Sequence, residues 1–186
     1  MIAAVVSFLM LSFLPGEAAA HGSDHPPVLR NVGNQFVFLR PQKPAPMTPI
    51  LAEDGRIMVL ERYRGKVVLL NFWVTWCAPC VRELPALDTL QSILGGPDFT
   101  VMALSVDEAD IEVPVSFLRG LGLENLDVYL DFTGTAAEAF TIYGMPITYL
   151  IDRRRLVIGY IVGAVEWDSP EAMKFLNHYI VRPAPG

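Results

Sequence analysis

Cysteine is nearly absent. The chain of 186 residues holds two, Cys77 and Cys80. A framework of disulfides is thereby excluded, and a single bridge over two intervening residues would shorten almost no loop in the unfolded chain. Positive charge is scarce too: 14 Lys and Arg stand against 20 Asp and Glu, a net charge of −6. No basic run occurs, so nucleic-acid binding has no support. The three histidines, His21, His25 and His178, lie far from the thiols in sequence, whereas a closed zinc site needs four ligands. There is no GxGxxG for a nicotinamide or flavin, no second redox pair, no Met-rich or His-rich repeat and no internal repeat. Beyond the N-terminal segment, no apolar run reaches the length of a membrane span.

What is present begins with an apolar stretch over residues 2–14, then Pro15-Gly16 and Ala18-Ala19-Ala20. An apolar segment ending in an A-x-A pattern has the form of a secretory signal peptide, although no Lys or Arg precedes it. Residues 1–20 are expected to be a signal peptide or, if uncleaved, a membrane anchor, and no cysteine follows that could carry a lipid. Export implies an oxidising compartment. Residues 21–47, rich in proline, read as a tether or extension with one short strand at 35–39. Residues 48–182 form the single folded domain.

Within that domain Asp54-Gly55 signals a hairpin joining 50–52 to 57–60. The run VVLLNFWV after Lys66 is apolar almost without interruption, as in a strand covered on both faces. Helical spacing follows Cys77, with Val81, Leu84, Leu87, Leu90 and Leu94 on one side and Gly95-Gly96-Pro97 as the stop. Further elements are a buried strand at 99–106, a helix at 113–121, a short strand at 127–130 and a helix at 135–143. Strands at 147–151 and 156–162 make an antiparallel hairpin. Ser169 as N-cap and Pro170 as first residue start the last helix. The sum is an α/β fold with a central mixed sheet flanked by helices and an N-terminal β-hairpin extension.

The two thiols fall at the first strand-to-helix junction. The thiolate is the reactive form of cysteine, and a helix N-terminus, with its unpaired N–H groups and dipole, favours an anion at Cys77. Pro79 costs little in a first turn. Cys80, one turn on, faces the same side and can attack a mixed disulfide formed at Cys77. A metal site or an inert thiol pair is the alternative, since a CxxC alone is a weak motif; its place at a strand–helix junction favours redox chemistry.

The segment Asn71–Pro85, with the strand VVLLNFWVTW, the motif Trp76-Cys77-Ala78-Pro79-Cys80, then Glu83 and Pro85, resembles the thioredoxin superfamily, and within it the TlpA/ResA-like thiol–disulfide oxidoreductases of bacteria. Gly144-Met145-Pro146-Ile147-Thr148 resembles that family's cis-proline loop, and Gly163-Ala164-Val165-Glu166-Trp167 its tail. The resemblance covers roughly residues 48 to 180. It implies a thioredoxin-like fold, a redox disulfide Cys77–Cys80, Cys77 as nucleophile and Cys80 as resolving thiol. The position of the buried aspartate of thioredoxins is Asn71 here, which cannot shuttle a proton. The acid of this group is Glu83, whose pKa should rise if it is partly buried; a solvated helix glutamate is the alternative. Pro146 is expected to be cis, with the Met145 backbone pairing with an extended partner segment; a trans proline opening a strand is the alternative. Trp76 would shape the docking surface, Trp73 belongs to the core, and Pro85 should kink the helix. Arg153-Arg154-Arg155 departs from the family's usual turn: Arg155 falls where a positive φ is suited, and the three arginines could meet an acidic partner or anionic lipid, a solvated turn being the blander reading.

The leading expectation is therefore a periplasmic reductase, monomeric and without a resident cofactor or metal. It would act on protein partners carrying a disulfide or dithiol, in cytochrome c maturation or copper-site assembly. A membrane thiol reductase would supply electrons. A thiol oxidase of the same fold is the near alternative. A copper-binding chaperone using Cys77 and Cys80 as Cu(I) ligands, with His21 and His25 as a weak second site, is the distant one.

Overall fold

The structure, a computed structural model, describes residues 26–181. The expected signal or anchor segment, with His21 and His25, lies outside the described residues. Strands β1 (Val37–Pro44), β2 (Ile50–Ala52), β3 (Ile57–Met58), β4 (Val67–Trp73), β5 (Phe99–Ser105), β6 (Asp127–Leu130), β7 (Ile147–Ile151) and β8 (Leu156–Val162) form one sheet. Its order is β1-β8-β7-β4-β5-β6-β2-β3. β4, β5 and β6 run parallel, and every other pairing is antiparallel. Helices α1 (Ala78–Leu94), α2 (Glu112–Gly120), α3 (Thr135–Ala139) and α4 (Pro170–Ile180), with a 3-10 turn at Leu60–Tyr63, complete the fold. Among the described residues, no helix is long and apolar enough to cross a membrane.

The period of two along β4 divides the core. Val67, Leu69 and Trp73 point to a cluster shared with α1, α2 and α4, including Leu84, Leu118 and Phe175. Val68, Leu70 and Phe72 point to the opposite cluster, closed by Leu60, Ala136 and Phe140. Alternation of this kind is what a strand buried on both faces requires. It also puts Asn71, the one polar residue of β4, on the α1 face.

Three expectations change. The short strand expected at 35–39 within the extension starts two residues later and runs on: Val37–Pro44 is strand β1 at the edge of the sheet, paired with β8. Leu29 and Phe36 before it are buried in the α1-side cluster. Pro41 was the misleading sign. It lacks an N–H, but an edge strand tolerates that, and the register with β8 shifts between Phe38 and Lys43. The Arg40–Pro41 bond is cis. The second change is α3, which stops at Ala139 and not at 143. Thr141 takes a left-handed φ of 57°, and the Phe140 carbonyl accepts a hydrogen bond from the Tyr149 hydroxyl. The hairpin partner β3 likewise ends at Met58, where the 3-10 turn takes over.

The arginine turn is knitted into the fold. Arg155 has φ 67° and its side chain meets Glu61 at 2.5 Å. Arg153 donates to the Gly65 carbonyl at 2.7 Å, the Asp98 carboxylate at 2.7 Å and the Ile180 carbonyl at 2.6 Å. It thereby caps the end of α4 and joins it to the start of β4. Replacing Arg153 with alanine should cost about 1–2 kcal/mol in a urea titration, because one change removes three hydrogen bonds made by a largely buried guanidinium. Arg153→Lys should recover little of it, since a point charge cannot span three acceptors.

Candidate active site

β4 ends at Trp73, and the chain turns through Val74-Thr75-Trp76 into α1. A buried carboxylate fixes this turn. Asp107, just past the end of β5, accepts from the Thr75 N–H at 3.0 Å and the Thr75 hydroxyl at 2.9 Å. The Ser105 hydroxyl donates to it at 2.8 Å. The parallel pairing of β4 with β5 brings these groups together.

Cys77 is the N-cap of α1, with extended φ and ψ of −87° and 99°. It is bonded to Cys80, with 5.2 Å between the two Cα atoms. The Cys77 sulfur accepts from the Cys80 N–H at 3.3 Å, so it occupies the position in which a capping oxygen satisfies a free helix donor. Pro79 has no N–H to offer, which leaves the Cys80 amide as the donor aimed at the sulfur. Cys77 is 8% exposed and Cys80 1%; the capping cysteine is the more exposed of the two. Trp76 stands beside it at 80% exposed, whereas Trp73 is core. Pro85 lies inside α1.

The pairing of Phe72 with Ile147 places the loop before β7 at the same end of the sheet as the disulfide. The Met145–Pro146 bond there is cis. Met145 packs against the cluster that holds both cysteines. The Pro146 carbonyl is taken by the Gly163 N–H at 2.7 Å, while the Met145 backbone forms no hydrogen bond among the described residues. Cys77, Cys80, Trp76, Met145 and Pro146 thus share one pole of the molecule.

Glu83 lies beneath them, 2% exposed on the inner face of α1. Its Oε1 accepts from the Trp167 indole N–H at 2.6 Å and the Val165 N–H at 3.0 Å. Its Oε2 accepts from the Asn71 amide at 3.1 Å, which also donates to the Thr148 hydroxyl at 2.9 Å. Burial pushes the Glu83 carboxyl up to about 7, against the pull of the Trp167, Val165 and Asn71 hydrogen bonds. The Asn71 carbonyl oxygen is buried without a partner; an amide flip would turn it toward Glu83 to accept from the protonated acid.

Trp167, Val165 and Asn71 as partners of Glu83, Thr148 as a partner of Asn71, and Asp107 as the anchor of Thr75 were not read from the sequence. A signal existed for two of them. Asn71 interrupts a buried apolar strand, and Asp107 follows one, and a polar group in such a place needs a partner. Trp167 comes from a distant loop, and no local pattern reveals it. Among the described residues, no group of three or more His, Cys, Asp or Glu side chains is arranged to hold a metal ion; His178 lies on α4 against the Tyr179 ring.

Residues 41–160 match the model of the AhpC/TSA family. The chain belongs to the AhpC/TSA family. Among its relatives, the thiol-disulfide oxidoreductase ResA of Bacillus thuringiensis subsp. konkukian is 33% identical over 121 residues, covering 65% of this chain and 69% of that protein. The ResA of Bacillus subtilis is 30% identical over 112 residues, covering 60% and 62%. A solved structure described as the thiol:disulfide interchange protein DsbE of Chlorobium tepidum is similar with a TM-score of 0.65 and 27% identity, covering 74% of this chain and 96% of that one. StoA of Bacillus subtilis, at 20% identity and a TM-score of 0.58 over 70% and 97%, shares the fold. This AhpC/TSA family member is a thiol–disulfide oxidoreductase of the ResA/DsbE type with a thioredoxin-like fold. The resemblance carried by Asn71–Pro85 is thereby confirmed.

Proposed function

We propose that the protein is an exported reductase of protein disulfides. In the reduced state the Cys77 thiolate attacks one sulfur of a partner's disulfide, and the partner's other sulfur leaves and takes up a proton. Cys80 then gives up its proton and attacks Cys77, releasing the partner's second thiol. The partner gains two electrons and two protons, and the Cys77–Cys80 disulfide is formed. Glu83, poised near neutrality, accepts the Cys80 proton and returns it when the disulfide is next reduced. Trp76 offers an apolar docking surface, and the free backbone of Met145 pairs with an extended segment of the partner.

The observation that carries this reading is the Cys77 sulfur in the N-cap position of α1, held by the Cys80 N–H. A thiolate there is stabilised in advance of reaction. Electrons must return to the dithiol from a donor outside the chain, for which a membrane thiol reductase is the fitting class. Apocytochrome c and copper-site cysteines outside the cytoplasm are the fitting partners.

The direction of flow is tested by equilibrating the protein with glutathione couples. The expected reduction potential lies nearer that of thioredoxin, about −270 mV, than that of DsbA, about −120 mV. A value at the DsbA end would overturn the reductase reading in favour of an oxidase.

A further inference from the structure

The two faces of the sheet are unequally covered. α1, α2 and α4 lie on one; the other has the 3-10 turn, the segment around Ala45 and α3, five residues long. On this thinner face a trough of about 320 Å³ stays open, walled by Leu39, Pro44, Phe140, Tyr149, Val157 and Tyr160. Its aromatic wall is a ladder. Tyr143 meets Tyr160 edge-on with ring centroids 6.1 Å apart, Tyr160 lies 5.4 Å from Tyr149, and Tyr149 lies 4.9 Å from Phe140.

The ladder starts at the active pole. Tyr143, 65% exposed, lines the trough and precedes Gly144-Met145-Pro146, so this end of the trough is two residues from the unpaired Met145 backbone. The end of α3 at Ala139 and the left-handed turn at Thr141 form one side of it. One charged side chain, Lys43, lines it. Lys43 enters none of the ion pairs among the described residues.

We propose that this trough seats the stretch of partner polypeptide adjoining the cysteine under attack, with a bulky apolar or aromatic side chain against the tyrosines and an acidic residue at Lys43. The proposal rests on the reading of Cys77 as attacking sulfur and of Met145 as the pairing edge. A segment laid on Met145 in extended form advances about 3.3 Å per residue. Three or four residues therefore carry it across both tyrosine-to-tyrosine steps. Aromatic faces suit apolar side chains, the Tyr149 hydroxyl being already spent on the Phe140 carbonyl, and the one cation of the lining sets the sign of the charge beside them. Selection among disulfides would then depend on sequence next to the cysteine.

The test uses two synthetic disulfide peptides and the full chain. One peptide carries a Leu-Tyr-Glu flank beside its cysteine, and the other stops at the cysteine. The flank should lower KM about tenfold for the unaltered protein. Tyr143→Ser should remove that advantage, and Lys43→Glu should weaken it about fourfold, as an exposed charge pair would; neither should change turnover of the short peptide. Replacing the peptide's Glu with Lys should restore binding to K43E. Equal KM for the two peptides, or equal losses on both in the variants, would overturn the proposal. So would a dimer that Tyr143→Ser dissolves, since a second copy would then fill the trough. Binding of an unreactive flank peptide, with serine for cysteine, separates the two readings: saturable binding lost in Tyr143→Ser without any disulfide turnover would keep the trough and sink the oxidoreductase mechanism.

Discussion

Replacing Cys77 with serine should abolish disulfide exchange, a fall of about a thousandfold or more, while replacing Cys80 should leave the first step intact and stop the second. A serine hydroxyl at the N-cap satisfies the same helix donor, so the fold should survive. Its pKa is far too high for the nucleophile to form near neutral pH, and the helix terminus cannot close that gap. Cys80→Ser keeps the capping thiol with its access to solvent, so it should react once and remain attached to its partner. Mass spectrometry after mixing with a disulfide-bonded protein would show the adduct on C80S and none on C77S. An adduct on C77S instead would reverse the roles assigned from exposure.

Glu83→Gln should have the next largest effect, and its sign depends on pH. The carboxyl has an ordinary value of 4.5 in the unfolded chain and about 7 in the fold. Between these values the folded state holds a proton that the unfolded state has released. Stability is then highest below about pH 4.5, falls by about 1.4 kcal/mol per unit as pH rises, and levels off above about 7. The full drop is on the order of 3 kcal/mol. Glu83→Gln should flatten this profile and leave the protein more stable than the unaltered chain at pH 8, by thermal or urea unfolding. The glutamine keeps an oxygen for Trp167 and Val165, and its amide can donate to the orphaned Asn71 oxygen after a flip. Activity should move the other way: loss of the proton carrier should slow exchange about 10- to 100-fold and erase the step in rate near pH 7. A variant no more stable at pH 8, with an unchanged pH–rate profile, would remove Glu83 from the mechanism.

The elements legible in the sequence were those governed by local rules. Asp127–Leu130, Ile147–Ile151 and Leu156–Val162 have the bounds that apolar runs and turn residues assign them, and Ser169-Pro170 starts α4 as capping chemistry requires. The misreadings arose where distant contacts decide. The strand expected at 35–39 looks bound to stop before Pro41, yet β8 offers a partner whose pairing tolerates that proline and carries β1 on to Pro44. Thr135–Tyr143 looks like one helix, yet the Tyr149 hydroxyl claims the Phe140 carbonyl. In the site, the CxxC and its helix could be read from residues adjacent in sequence. The environment of Glu83 could not, because Asn71 of β4, with Thr148 of β7 behind it, and Val165 and Trp167 of the loop after β8 assemble it from three separate segments.

The sheet margins have a consequence for association. One border is β3, two residues long, and the other is β1, with prolines and a register shift. Neither presents the continuous ladder along which a foreign chain could template itself into a fibre. A molecule that exposes a tryptophan and a tyrosine at one pole is thus shielded from stacking edge to edge with its copies, and under the proposed function main-chain recognition falls to the short loop beside the sulfurs.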